Sequence, residues 1–135
     1  MASALYDHGR EGFLAGDIDW DGDDIKVVLV DEDDDTPVLA TDEDLADRVA
    51  GSRVATSGNL ASKTVTAGVA DADDVTLSAV SGDECESFDI YQDSGVEATS
   101  RLIANVDDAT GLPVTPNGGD ITIQWDSGAN AIFKL

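Results

Sequence analysis

The acidic stretch DIDWDG, Asp17 to Gly22, comes nearest to a chemical site in this chain. Asp17, Asp19 and Asp21 fall on positions one, three and five of a calcium-loop pattern, and Gly22 falls where such a loop turns sharply. The pattern then fails. Position twelve is Val28, inside an apolar run, where a bidentate Glu is required. With 29 acidic residues in the chain, this spacing also arises by chance. The competing reading is that Ile18 and Trp20 pack inward while the acids face water. Asp17, Asp19 and Asp21 therefore stand as a candidate cation site and nothing more.

The other reactive residue types are sparse. His8 is the single histidine, set among Asp7, Gly9 and Arg10 with no nucleophile signature nearby. One Cys and one His cannot make a zinc site at a sensible spacing. Cys85 has no partner for an intrachain disulfide, and the alternation of DECESFDIY turns it inward as a small hydrophobe. No phosphate loop or dinucleotide fingerprint occurs. NGGD, Asn117 to Asp120, is a turn leading into a strand and not a strand-to-helix cradle. The expectation is a non-enzymatic chain with no catalytic residue and no cofactor. Arg10, Arg48, Arg53 and Arg101 are scarce cations in an acidic chain. Each can be tied into an internal ion pair or can anchor an acidic partner surface, and Arg53 and Arg101 are the candidates for the second use.

Composition sets the frame that must hold these residues. The chain has 135 residues, 41% of them hydrophobic, which suffices for one domain, 1–135, with a real core. Net charge is −22, from 29 acids against 7 cations. Apolar runs separated by turn signals argue against wholesale disorder. A surface this acidic repels itself in dilute buffer, and at roughly 1 M salt the Debye length falls to about 3 Å. An Asp-rich, Lys-poor composition of this kind resembles that of haloarchaeal proteins. No basic patch is present to neutralise phosphates, so nucleic acid is not an expected partner. No apolar run of about 18 residues is present, so no membrane span is expected. The opening MASALYDHGR lacks the apolar region of a signal peptide.

The elements follow from local pattern. Ser3 to Ala15 reads as a short helix, with Ser3 as N-cap and Gly16 as the stop. Gly9 and Gly12 weaken it and permit close packing on a sheet. Asp21 to Asp24 is a turn. Ile25 to Val30 is a buried strand rich in β-branched residues. Asp31 to Asp35 reads as a solvated loop, and Asp42 to Ala50 as one or two helical turns capped by Thr41. Further strands are expected at Arg53 to Ser57, Thr64 to Thr66, Val75 to Val80, Glu86 to Gln92, Arg101 to Val106, Ile121 to Trp125 and Ala131 to Leu135. Gly68 to Asp74 reads as an acidic turn, and Gly111 to Asp120 as a loop. Glu86–Gln92 and Arg101–Val106 should pair as an antiparallel hairpin. The fold class is mainly β, an antiparallel sandwich or open barrel with a short N-terminal helix.

Three blocks of this sequence resemble a family of small tailed-phage virion structural proteins. ALYDHGREGFLAGDIDW at Ala4 to Trp20, followed by DDIKVVLVD at Asp23 to Asp31, is similar to its start. RVATSGNLASKTVTAGVADADDVTLSAVSGD at Arg53 to Asp83 is similar to its middle, and TSRLIANVDDATGLPVTPNGGDITIQWDSGANAIFKL at Thr99 to Leu135 to its end. The resemblance implies a capsid decoration or cement protein on the outer shell of a tailed virus, assembled in the host cytoplasm. Its partners would be the major capsid protein or other virion proteins, together with copies of itself, a trimer foremost. Leu112, Pro113, Val114 and Pro116 are candidate contact residues. Ile132 to Leu135 is a second stretch, with core packing as its competing reading. Alternatives are a neck, tail or capsid-turret component, or a glycan-binding module using Trp20, Tyr91 and Trp125. The acid load at Asp31 to Asp35 and Asp42 to Asp47 departs from the bacterial-phage pattern and fits a haloarchaeal host. On dialysis from molar salt into dilute buffer, the isolated protein should lose β signal by circular dichroism. Full retention of that signal would remove the halophile reading.

Overall fold

The computed structural model describes residues 4–135, and the expected cap Ser3 lies outside them. The chain is mainly β, with three antiparallel sheets and one helix near the N-terminus. The largest sheet has the order β1 (Ala4–Leu5), β8 (Leu102–Val106), β7 (Ser87–Gln92), β2 (Ile25–Val30), β3 (Arg53–Thr56). The second has the order β10 (Phe133–Lys134), β5 (Val69–Asp71), β4 (Thr64–Thr66). β6 (Val75–Leu77) and β9 (Ile121–Ile123) form a ribbon. The sheets do not close into a barrel.

β2 has the boundaries its β-branched run implies, and it lies between β7 and β3. Alternation then divides the sheet. Ile25, Val27 and Leu29 join Phe88, Ile90 and Val106 in the main core, against Ala70 and Phe133 of the second sheet and Leu77 and Ile123 of the ribbon. A register shift between Ile90 and Tyr91 leaves Ile103 unpaired, so Ile103 and Ala104 both join that core. Val28, Val30, Tyr91 and Leu102 point the other way and pack with Tyr6 and Leu45.

The helix α1 (Asp7–Ala15) begins later than its sequence suggests. Ala4 and Leu5 pair with Asn105 and Ala104 as an edge strand instead, and Tyr6 is the N-cap. Gly16 ends the helix at φ 77°, as expected. Gly9 and Gly12 do allow a close approach: a Cβ on Gly9 would lie 2.7 Å from the Ile103 carbonyl oxygen. The segment expected as an acidic turn contains β5, since Ala67 and Gly68 alone complete the turn from β4. The expected turns after Asp42 are one-turn 3₁₀ segments, Leu45–Asp47 and Ala50–Ser52. The first is capped by Asp44 in a reciprocal box with Asp47 and not by Thr41.

The second face of the large sheet is held by a buried polar network. Arg48 and Asp89 are both fully buried, and Arg48 Nε donates to Asp89 Oδ2 at 2.9 Å. Tyr6 Oη donates to Asp89 Oδ1 at 2.6 Å, and Asn105 Nδ2 donates to the same oxygen at 3.0 Å. Arg48 Nη2 donates to Tyr6 Oη at 2.9 Å and to Asp42 Oδ2 at 3.0 Å. Arg48 Nη1 lies 3.1 Å from Asp35 Oδ2, an ionic contact without hydrogen-bond alignment. Burial works against the Arg48 charge, but Asp89, Tyr6 and Asp35 together more than restore it and hold the guanidinium above its ordinary value. Burial raises the Asp89 carboxyl, opposed by Arg48, Tyr6 and Asn105.

Asp31 to Asp35 is consequently more than a solvated loop. Asp31 is buried, and Asp35 both faces Arg48 and accepts from the Val49 N–H at 2.8 Å. Removing one member of a buried pair strands the other. Asp89→Ala should lower stability by about 3–5 kcal/mol, and Arg48→Met combined with Asp89→Leu should cost less than the sum of the two single changes. Denaturant melts in high salt measure both.

Candidate interaction surfaces

The sequence-selected residues do not converge on one site. Asp17 faces Arg101, with Oδ2 3.5 Å from Nη2. Asp19 and Asp21 share a side-chain hydrogen bond, which is the main cause of an Asp19 carboxyl held above its ordinary range. The Asp19 N–H donates to Asp23 Oδ2 at 2.7 Å, and Gln92 Nε2 donates to the same oxygen at 2.7 Å. Asp23 thus braces the turn in which Asp17, Asp19 and Asp21 stood as a candidate cation site. Among the described residues, three groups bring their ligand atoms within 4.8 Å of one another: Asp31, Asp34 and Asp83; Asp31, Asp33 and Glu86; and His8, Glu43 and Asp44. Asp17, Asp19 and Asp21 form no such group. Asp31 belongs to two of them because β2 ends beside the approach to β7, a convergence that linear spacing cannot reveal.

Both arginines selected as partner anchors have internal partners. Arg53 Nη1 and Nη2 donate to the two carboxylate oxygens of Glu97 at 2.8 and 3.2 Å, a forked pair that ties β3 to the segment before β8. Glu97 is held below its ordinary range by that bond. Arg101 Nη1 donates to the His8 carbonyl at 2.8 Å and ties β8 to α1. Arg48, not selected as an anchor, is the buried one. Its signal was faint: Asp89 sits between Phe88 and Ile90 in a strand otherwise apolar enough to be buried on both faces.

His8 Nδ1 lies 3.3 Å from Glu11 Oε2. Cys85 is fully buried, bridges to Val114, and has its thiol pushed up to about 11 by burial and then by nearby carboxylates. A thiol so placed is a poor nucleophile at neutral pH.

The loop Gly111 to Asp120 lies over the open side of the main core. Leu112 and Val114 are half-buried against that core and, with Leu29, Phe88, Ile121 and Ile123, line a cavity of about 120 Å³. Pro113 is exposed and Pro116 half-buried. Ala109 to Gly119 carries no acid. At the C-terminal stretch Ile132 and Phe133 are core, while Lys134 and Leu135 are exposed. A second apolar depression, about 240 Å³, lies between α1 and β4. Phe13, Ile18, Trp20, Val65, Phe133 and Leu135 are among its walls.

The aromatics proposed for sugar stacking are buried: Trp20 is 3% exposed, Tyr91 3% and Trp125 8%. Trp20 stacks edge-on to Phe133 and donates Nε1 to the Asp71 carbonyl. Trp125 meets Phe88 edge-on and donates to the Asp73 carbonyl. The stacking surface that the glycan-binding alternative needs is therefore absent among these three. A scan against protein-family models finds no match for this chain, and a comparison with curated proteins finds none. Tryptophan emission should be blue-shifted and resist quenching by iodide in the folded state. Quenching comparable to that of the unfolded chain would contradict the burial of both indoles.

Proposed function

We propose that this chain is a non-enzymatic structural protein of a tailed virion, binding the outer shell as a decoration or cement protein in a high-salt host. The work in this reading is adhesive: surface buried between neighbours offsets the tendency of a loaded shell to come apart. The supporting observation is the loop Ala109 to Gly119, an acid-free, partly apolar surface on a molecule of net charge −22. Leu112, Pro113, Val114 and Pro116 stand there where a neighbour can reach them, and a shell partner that is itself acidic meets no carboxylate from this loop. The virion assignment itself rests on the sequence resemblance. The internal pairing of Arg53 and Arg101 shifts the proposed contact toward apolar burial and away from ion pairing.

A neck, tail or turret position in the same particle uses the same surface and differs in copy number. Quantitative mass spectrometry of purified virions should find hundreds of copies in a simple ratio to the major capsid protein. A few copies per particle would move the chain to the neck, tail or vertex, and absence from virions would end the structural reading.

A further inference from the structure

The hairpin of β4 and β5 leaves one edge of the second sheet open, since β4 is its terminal strand. Its two-residue turn, Ala67 and Gly68, has φ of 55° and 76°. This is the type I′ geometry, which closes a hairpin on a hydrogen-bonded pair, here Thr66 and Val69. Bonded and non-bonded pairs alternate along an antiparallel ladder, so Val65 and Ala70 form a non-bonded pair. The other side of β5 agrees: the Ala70 carbonyl accepts from the Ile132 N–H at 3.0 Å, toward β10 and away from β4. The N–H and C=O of Val65 therefore point outward from the free edge. Its side chain is 55% exposed and lies on the face of Ala70 and Phe133, at the rim of the depression beside α1.

An open edge is a template for another strand, and this one fits a second copy of itself. Charge comes first. Two chains of net charge −22 repel wherever their carboxylates meet, yet Arg53 to Ala70 contains no Asp or Glu. The adjoining β10 lies in another such stretch, Ser127 to Leu135. Symmetry comes second. A twofold axis sets each residue of one strand against its counterpart in the other, and Thr64-Val65-Thr66 makes those facing pairs like with like. Antiparallel pairing about an axis at Val65 sets Val65 against Val65 of the second copy, Thr64 against its Thr66, and Lys63 against its Ala67. Side-chain fit comes third. Threonines directly opposite one another already share a hydroxyl contact within this molecule, Thr76 and Thr122 across β6 and β9 at 2.9 Å. The two Val65 side chains would meet on the apolar face and lengthen the walls of both depressions.

We propose that two copies of this chain join through β4, making one continuous antiparallel sheet in the order β10-β5-β4-β4-β5-β10. The two Val65 residues exchange N–H···O=C bonds across the axis. Such a contact closes at two copies and is distinct from the trimer implied by the resemblance. It does not rest on the virion reading, and the isolated chain tests it.

Sedimentation equilibrium in molar salt should give twice the 14.0 kDa chain mass. Val65→Asp should sediment as a monomer with an unchanged circular dichroism spectrum, because it sets two carboxylates against each other at an exposed position. Register has its own test. Thr64→Cys chains mixed with Thr66→Cys chains should give a disulfide-linked dimer in oxidised glutathione, while either variant alone should not; Cys85 is buried and stays out of the reaction. A monomer at every concentration, an assembly whose mass Val65→Asp leaves unchanged, or cross-linking that ignores the mixture would each overturn the proposal.

Discussion

The contact between Arg48 and Asp89 is the constraint on which the second face of the large sheet depends. A buried carboxylate in a central strand is costly unless charge and hydrogen bonds answer it. Here one guanidinium answers Asp89 and also gathers Asp35 and Asp42 from the loop above. Those loop acids would otherwise repel both one another and the strand. Val28, Val30, Tyr91 and Leu102 thereby acquire a lid that sequence hydrophobicity alone would not supply, since the covering segment is among the most acidic in the chain. Tyr6 joins the same network, which explains why the chain enters the sheet at Ala4 and Leu5 before turning into α1.

What was legible in the sequence follows the physics of each element. β2, β7 and β8 carry β-branched and apolar runs long enough to announce themselves, and the antiparallel pairing of β7 with β8 follows from their short link, whereas the pairing of β2 with the distant β7 has no local sign. Gly16 marks the helix end because only a residue tolerant of positive φ fits there. β1 was hidden because two residues carry no period, and its existence depends on the distant β8. β5 was hidden because Val69-Ala70-Asp71 looks like part of an acidic turn until its pairing with β4 and β10 is known. The chemistry was harder to read. Arg48 has no local sign of burial, because its partner lies 41 residues away. The spacing of Asp17, Asp19 and Asp21 was visible, but it says nothing of Arg101 and Gln92, which come from other strands and claim the same turn.

The acids are unevenly placed, and the unevenness carries the functional argument. Carboxylates crowd the turns and the segment between β2 and β3, while the loop Ala109 to Gly119 and the stretch holding β3 and β4 have none. A uniformly acidic surface would keep a protein soluble in brine and apart from its neighbours. Leaving particular surfaces uncharged keeps the solubility and allows chosen contacts. The proposed shell contact and the proposed self-contact occupy different acid-free surfaces, so one can be lost without the other.

The Arg48 network also bears on how the chain reaches its native state. Tyr6 and Asp89 are separated by 83 residues, and Arg48 and Asp89 by 41. Loops of that length must close before the contacts repay their entropy, which places the fold among slow, topology-limited β proteins, with times of roughly milliseconds to seconds. Closing them also brings Asp35, Asp42 and Asp89 together around one cation. Until Arg48 is seated, that approach runs uphill in the field of the chain's own charge. Ionic strength therefore acts on the climb to the transition state as well as on the final balance.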